Sequence, residues 1–188
     1  FLMAVFSACF MLNYPLEPAQ ISLISMFTIG IPGFFLALQP NTEAIHGRFL
    51  SNVLIKALPA GLTDFLVVGA LVIFGRVFGV NETDISTACT MLLAIVGFMI
   101  LYHISKPLNL LRWIVWIGSG VGLLVCSIYL GDIFGITHMS MECVMLFVVF
   151  AIVTEPTLRY GTILVEKIGS IITKRAEKRH TDTVARNN

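Results

Sequence analysis

The sequence predicts an all-α fold: a polytopic membrane helical bundle with five full transmembrane helices plus the end of a sixth at the N-terminus. Composition is the first reason. Of 188 residues, 57% are hydrophobic and 12% charged, with a mean hydropathy of +0.90; soluble domains carry roughly 45–50% apolar and about 25% charged residues. The second is that the apolar residues fall into runs near the roughly 20 residues needed to cross a bilayer. The third is that the basic residues collect on one side when those runs are threaded through a membrane. A soluble globular enzyme, a disordered chain and a nucleic-acid binder are excluded. The apolar surface is too large for one small core, and no basic domain is present to meet phosphates.

Taken in order, the first run extends from Phe1 to about Tyr14. At 1.5 Å per residue, its 14 or so residues reach about 21 Å, short of a hydrocarbon core of about 30 Å. It reads as the end of a spanning helix, and the chain as the C-terminal piece of something longer. The turn Asn13-Tyr-Pro-Leu-Glu-Pro18 reverses the chain. Spans follow at about 18–38, 57–78, 85–104, 108–130 and 136–154. Polar or turn-forming connectors separate them: Gln39 to Arg48, Gly79 to Asp84, Ser105-Lys-Pro107 and Gly131 to Gly135. Residues 157–173 mix Leu158, Ile163, Val165 and Ile168 with Arg159, Glu166 and Lys167. They suit either an interfacial amphipathic helix or an extension of the last span. Domain organisation is therefore a helical membrane domain over 1–173 and a charged tail over 174–188, expected to be frayed.

Every Lys and Arg except Arg76 lies on one side of this threading. The positive-inside rule makes that side cytoplasmic, with the C-terminal tail, and turns the loops near 17, 81 and 132 outward. The expected setting is a multi-pass protein of the cell membrane. The four cysteines, Cys9, Cys89, Cys126 and Cys143, stand alone in apolar runs with no C-x-x-C pair, and read as small hydrophobes. The four histidines form no metal-ligating pattern.

Chemistry concentrates in the second run. Ser22, Ser25 and Thr28 recur at i, i+3 and i+6, a slanted polar stripe expected on one helix face, leading to Gly30-Ile-Pro32-Gly33 at mid-depth. Pro32 has no N–H, so the carbonyl of Thr28 loses its helical donor, and the glycines tolerate non-helical torsions. Such backbone survives in a membrane only against protein or a water-filled cavity. Hydroxyls beside a freed carbonyl form an oxygen-rich place of the kind hard cations use. Ser22, Ser25, Thr28, Gly30 and Pro32 are the candidate ion-pathway residues. The alternative is a plain one: proline kinks and hydroxyls bonded back to their own helix are ordinary in membranes.

Two carboxylates, Asp64 and Glu155, are secondary candidates, since intramembrane acids mark functional sites by default. Asp64 is expected near the cytoplasmic end of its span, where a cap or helix contact would also explain it. Glu155, before Pro156, reads equally as a helix-end residue. Gly118, Gly120 and Gly122 offer a close helix contact, and Trp113 and Trp116 an interfacial anchor.

The motif Pro18-x-Gln20, then Thr28-x-Gly30-x-Pro32, then Leu36-x-x-Gln39-Pro40 resembles the sixth transmembrane helix of the P-type cation-transporting ATPases. The stretch from Asn13 to Pro59 is similar to the bacterial cation-transporting ATPase E-like subgroup, and the order of later spans fits helices seven to ten. The resemblance implies an ATP-driven pump for an inorganic cation, with calcium or another divalent ion favoured. It implies ATP and magnesium acting in cytoplasmic domains outside this chain, and a catalytic D-K-T-G that this sequence does not contain. No cofactor is expected in the chain itself. Its partners would be the transported cation, the bilayer and the N-terminal part of the same polypeptide, and not nucleic acid. In calcium pumps this helix supplies an Asn, a Thr and an Asp to the ions; the matching positions are Ser25, Thr28 and Ile29. Ile29 lacks the carboxylate, so stoichiometry departs from the calcium-pump pattern. A secondary transporter or channel using the same proline-bearing helix without ATP, and a non-catalytic membrane anchor, are the competing readings.

Overall fold

Apolar runs of this length must close their backbone hydrogen bonds internally to sit in hydrocarbon, and helices do so. The computed structural model describes residues 2–11, 13–38, 49–105, 109–136 and 138–186, and no strand occurs among them. The order is α1 (Leu2–Cys9), α2 (Pro18–Ser25), a π-helical turn (Met26–Gly30), α3 (Ile31–Ala37), α4 (Phe49–Val77), α5 (Glu82–Ile104), α6 (Leu110–Tyr129) and α7 (Met141–Arg186). Among the described residues, five stretches are long and apolar enough to cross a membrane: Pro18–Ala37, Ala57–Val77, Glu82–Ile104, Leu110–Tyr129 and Met141–Val165. The expected loop 39–48 and Lys106-Pro107 lie outside the described residues.

Helix α5 is the centre of the bundle and packs against α2, the π turn, α4, α6 and α7. Its first half is a run of small residues, Ser86, Thr87, Ala88, Cys89 and Thr90, all buried. Small side chains let neighbouring backbones approach, the main source of helix association where lipid removes the hydrophobic drive. One apolar cluster joins α4, α5 and α7 through Val68, Leu71, Leu92 and Cys143. A second joins α2 and the π turn to α5 and α6 through Leu23, Phe27, Ala94 and Leu123.

A buried polar knot ties the outer end of this second cluster. Gln20 is fully enclosed. Its Nε2 donates to the Gly135 carbonyl at 2.9 Å, while its Oε1 accepts from Ser86 Oγ at 2.8 Å and Thr90 Oγ1 at 2.7 Å. The amide thus uses both ends across three segments, as a buried amide must to avoid an uncompensated polar group. Nearby, the Ser140 amide donates to Asp84 Oδ2 at 2.9 Å and opens α7. Arg76, the one basic residue assigned to that side, pairs with Glu82 at 2.7 Å.

The residues after Glu155 do not form a separate interfacial segment: of the two readings the extension of the last span holds, and α7 continues from Met141 to Arg186 with Pro156 inside it. Membrane helices accept an internal proline because neighbours and hydroxyls satisfy the freed groups, and Thr154 and Thr157 each donate to the carbonyl four residues back. Nor are all the cysteines interior. Cys89 and Cys143 are buried, whereas Cys9 is exposed.

Candidate functional site

Pro32 deprives its helix of one donor, and the chain answers with a wide turn rather than an unwound break. Met26–Gly30 is one π turn, closed by the Ile31 amide on the Met26 carbonyl. An inserted residue of this kind moves the register of everything before it, and π turns of this sort collect at functional sites. Pro32 itself is fully buried at the head of α3, while Gly30 is exposed.

The three hydroxyls do not stay on one face. Each step of three residues falls about 60° short of a full helical turn, so the stripe rotates about 120° between Ser22 and Thr28. Ser22 is exposed, with its hydroxyl donated to the Pro18 carbonyl at 2.8 Å. Thr28 is buried and donates to the Ile24 carbonyl at 2.8 Å. That back-bonding is the plain behaviour expected of hydroxyls in helices. It uses the Thr28 proton and leaves lone pairs on the oxygen.

Ser25 and Thr28 border a cavity of about 460 Å³ between α2–α3, α4 and α5. Its walls are mainly aliphatic, with Ile24, Leu93 and Ile100 among them, and Gly33 and Gly97 facing in. Ser22, Gly30 and Pro32 do not border it. The close fit at Thr28 depends on Gly97. A methyl group at position 97 would stand 2.8 Å from Thr28 Cγ2 and 3.1 Å from its Cβ. Gly122 on α6 plays the same part for Phe27, whose ring would lie 2.5 Å from an added methyl. Gly118 and Gly120, the other glycines of that run, touch nothing.

Asp64 comes to this cavity from α4. The helix-cap explanation does not apply: the residue lies in mid-helix, and its Oδ1 is buried without a hydrogen-bond partner among the described residues. Its neighbour Thr63 donates to the Pro59 carbonyl at 2.8 Å. Glu155 is exposed on α7 and does not line the cavity. Among the described residues, no group of three or more His, Cys, Asp or Glu side chains gathers to hold a metal. Ile29, which follows Thr28, is apolar and 70% exposed.

Sequence reasoning named Gln20 only as a motif position, and passed over Gly97 and the direction of Asp64. One amide in a mainly apolar span was the available signal for a buried polar contact at Gln20. The other two depend on how α4 and α5 are placed around the cavity.

These features define the class: a helical membrane bundle whose proline-bearing, widened helix borders an oxygen-bearing cavity. The comparisons with known proteins carry the identification further. No family model matches the chain, and no solved structure matches it. It is 30% identical over 118 residues to a protein described as a probable cation-transporting ATPase, exp7, of Streptococcus pneumoniae, covering 63% of this chain and 15% of that one. It is 31% identical over 120 residues to the calcium-transporting ATPase CtpE of Mycobacterium bovis, covering 61% and 15%. It is 35% identical over 100 residues to CtpE of Mycolicibacterium smegmatis, covering 51% and 13%. The chain is thus similar, over about half to two thirds of its length, to proteins described as cation-transporting ATPases. It spans about 15% of the length of the curated relatives it matches.

Proposed function

We propose that this chain is the C-terminal membrane part of an ATP-driven cation pump and lines part of the pathway of the transported ion. The observation that carries the reading is the cavity beside the π turn, where Thr28 and Ser25 meet a space walled by aliphatic side chains. A hydroxyl oxygen with free lone pairs, held in a water-poor place, suits a partly dehydrated hard cation. Hydrolysis of ATP, with magnesium, belongs to domains of the pump outside this chain. Their motion would tilt the widened helix and present the cavity to alternate sides. Calcium is the favoured ion, because the mycobacterial relatives are described as calcium-transporting. The asymmetry of Lys and Arg supports a cytoplasmic C-terminal tail in the cell membrane.

The test is phosphoenzyme formation by the full-length protein in membrane vesicles across a panel of divalent cations. The reading expects stimulation by one of them, and a rise of roughly tenfold in its half-activating concentration for Thr28→Val, the scale of losing one oxygen ligand. Absence of stimulation by any cation would overturn it.

A further inference from the structure

The cavity beside Thr28 contains a carboxylate that its own helix does not supply. Ile29 stands next to Thr28 and is apolar, whereas Asp64 reaches the same space from α4. Its Oδ1 is buried and makes no hydrogen bond among the described residues. None of the described side chains lining the cavity is basic. Charge at this depth is costly and persists where a partner arrives or a function needs it. A carboxylate and hydroxyl oxygens facing one aliphatic-walled space form a hard, anionic donor set, which selects hard divalent cations over soft metals.

We propose that Asp64 is the carboxylate of the cation site, contributed by α4 and meeting the same ion as Thr28 on the π turn. This rests on the reading of the chain as part of a pump. The remaining ligands come from water and from parts of the pump outside this chain, since calcium takes about six to eight oxygens. Gly97 is a positioning residue: without a Cβ it lets α5 approach closely enough to hold Thr28 at the cavity wall. Asp64 and Thr28 border one cavity from different helices, so a tilt of the widened helix relative to α4 separates the two donors and weakens the site. Binding and helix motion are coupled through that one distance.

The experiment uses the full-length pump in proteoliposomes, with calcium as the probe and phosphoenzyme formation as the readout. Asp64→Asn should raise the half-activating calcium concentration about tenfold or more, the effect of removing a charged ligand. Asp64→Glu should recover part of it, and Glu142→Gln, an exposed residue at the start of α7, should leave it unchanged. A wild-type calcium response that Thr28→Val shifts and Asp64→Asn does not would overturn this proposal and leave the pump reading standing. A wild-type protein with no cation response would overturn the pump reading itself. Carbodiimide labelling of the unmodified protein needs no variant to fold. The peptide bearing Asp64 should be labelled without calcium and protected by it; equal labelling in both conditions overturns the assignment.

Discussion

Replacing Gly97 by alanine puts one methyl group between α5 and the π turn. That methyl would lie 2.8 Å from Thr28 Cγ2 and 3.1 Å from Thr28 Cβ. Carbon atoms rest at about 3.5–4.0 Å, so something must give by about 1 Å. Thr28 is a poor candidate, being β-branched, stiff at χ1 and tethered through its hydroxyl to the Ile24 carbonyl at 2.8 Å. The helices must part instead, and overpacking of this kind costs about 1–3 kcal/mol. Glycine to alanine in a helix interior returns about 1 kcal/mol. The net is a destabilisation of about 0–2 kcal/mol, together with a displaced Thr28. Gly118→Ala is the matched control: nothing lies within 4 Å of its added methyl, so only the propensity gain remains. Thermal melting of the detergent-solubilised full-length protein should rank Gly97→Ala below wild type and Gly118→Ala at or above it. Cation dependence should shift for Gly97→Ala alone. A Gly97→Ala protein as stable as Gly118→Ala, with unaltered cation dependence, refutes the close packing of α5 on Thr28.

Three other substitutions probe separate parts of the bundle. Gly122→Ala drives a methyl into the buried Phe27 ring and should lower the melting temperature, with a cost of about 1–3 kcal/mol, again against Gly118→Ala. Gln20→Leu removes the three long-range bonds, besides the local one from the Glu17 amide, and strands the Gly135 carbonyl. At about 0.6 kcal/mol for a typical membrane hydrogen bond, the loss is about 2 kcal/mol, and proteolysis in the 131–135 turn should accelerate. Arg76→Gln breaks a partly exposed ion pair worth about 0–1 kcal/mol and should leave melting nearly unmoved; a large drop would show that the Arg76–Glu82 pair does more than decorate the surface.

The spans were legible in the sequence because a membrane forces them: apolar length and polar connectors locate Pro18–Ala37, Ala57–Val77, Glu82–Ile104 and Leu110–Tyr129 within a few residues, whatever the tertiary packing. The proline at position 32 was legible as a missing donor, though not as a π turn. A missing N–H can be met by kinking, unwinding or widening, and packing of Phe27 under Gly122 and Thr28 under Gly97 accompanies the last. The departure of Ser22 from the stripe was available from helical arithmetic alone. The sequence left residues 157–173 open between an interfacial helix and an extension of the last span, because the rule for residues before proline comes from helices in water, where a break is easily hydrated. Asp64 is the instructive case. Its depth could be read from position, but its direction depends on the rotation of α4 against two other helices, which no local pattern encodes.

Gln20 illustrates the same boundary from the other side. As one amide in an apolar span it announces a buried polar contact, yet its partners lie 66, 70 and 115 residues away in sequence. Long-range partners of that kind emerge only when the helices are assembled.

The most direct measurement is a cryo-electron microscopy map of the full-length protein with calcium bound. The account predicts ion density about 2.3–2.6 Å from oxygens of both Thr28 and Asp64, the range of calcium–oxygen bonds. Density held elsewhere, with the cavity beside the π turn filled only by side chains or lipid, would contradict it.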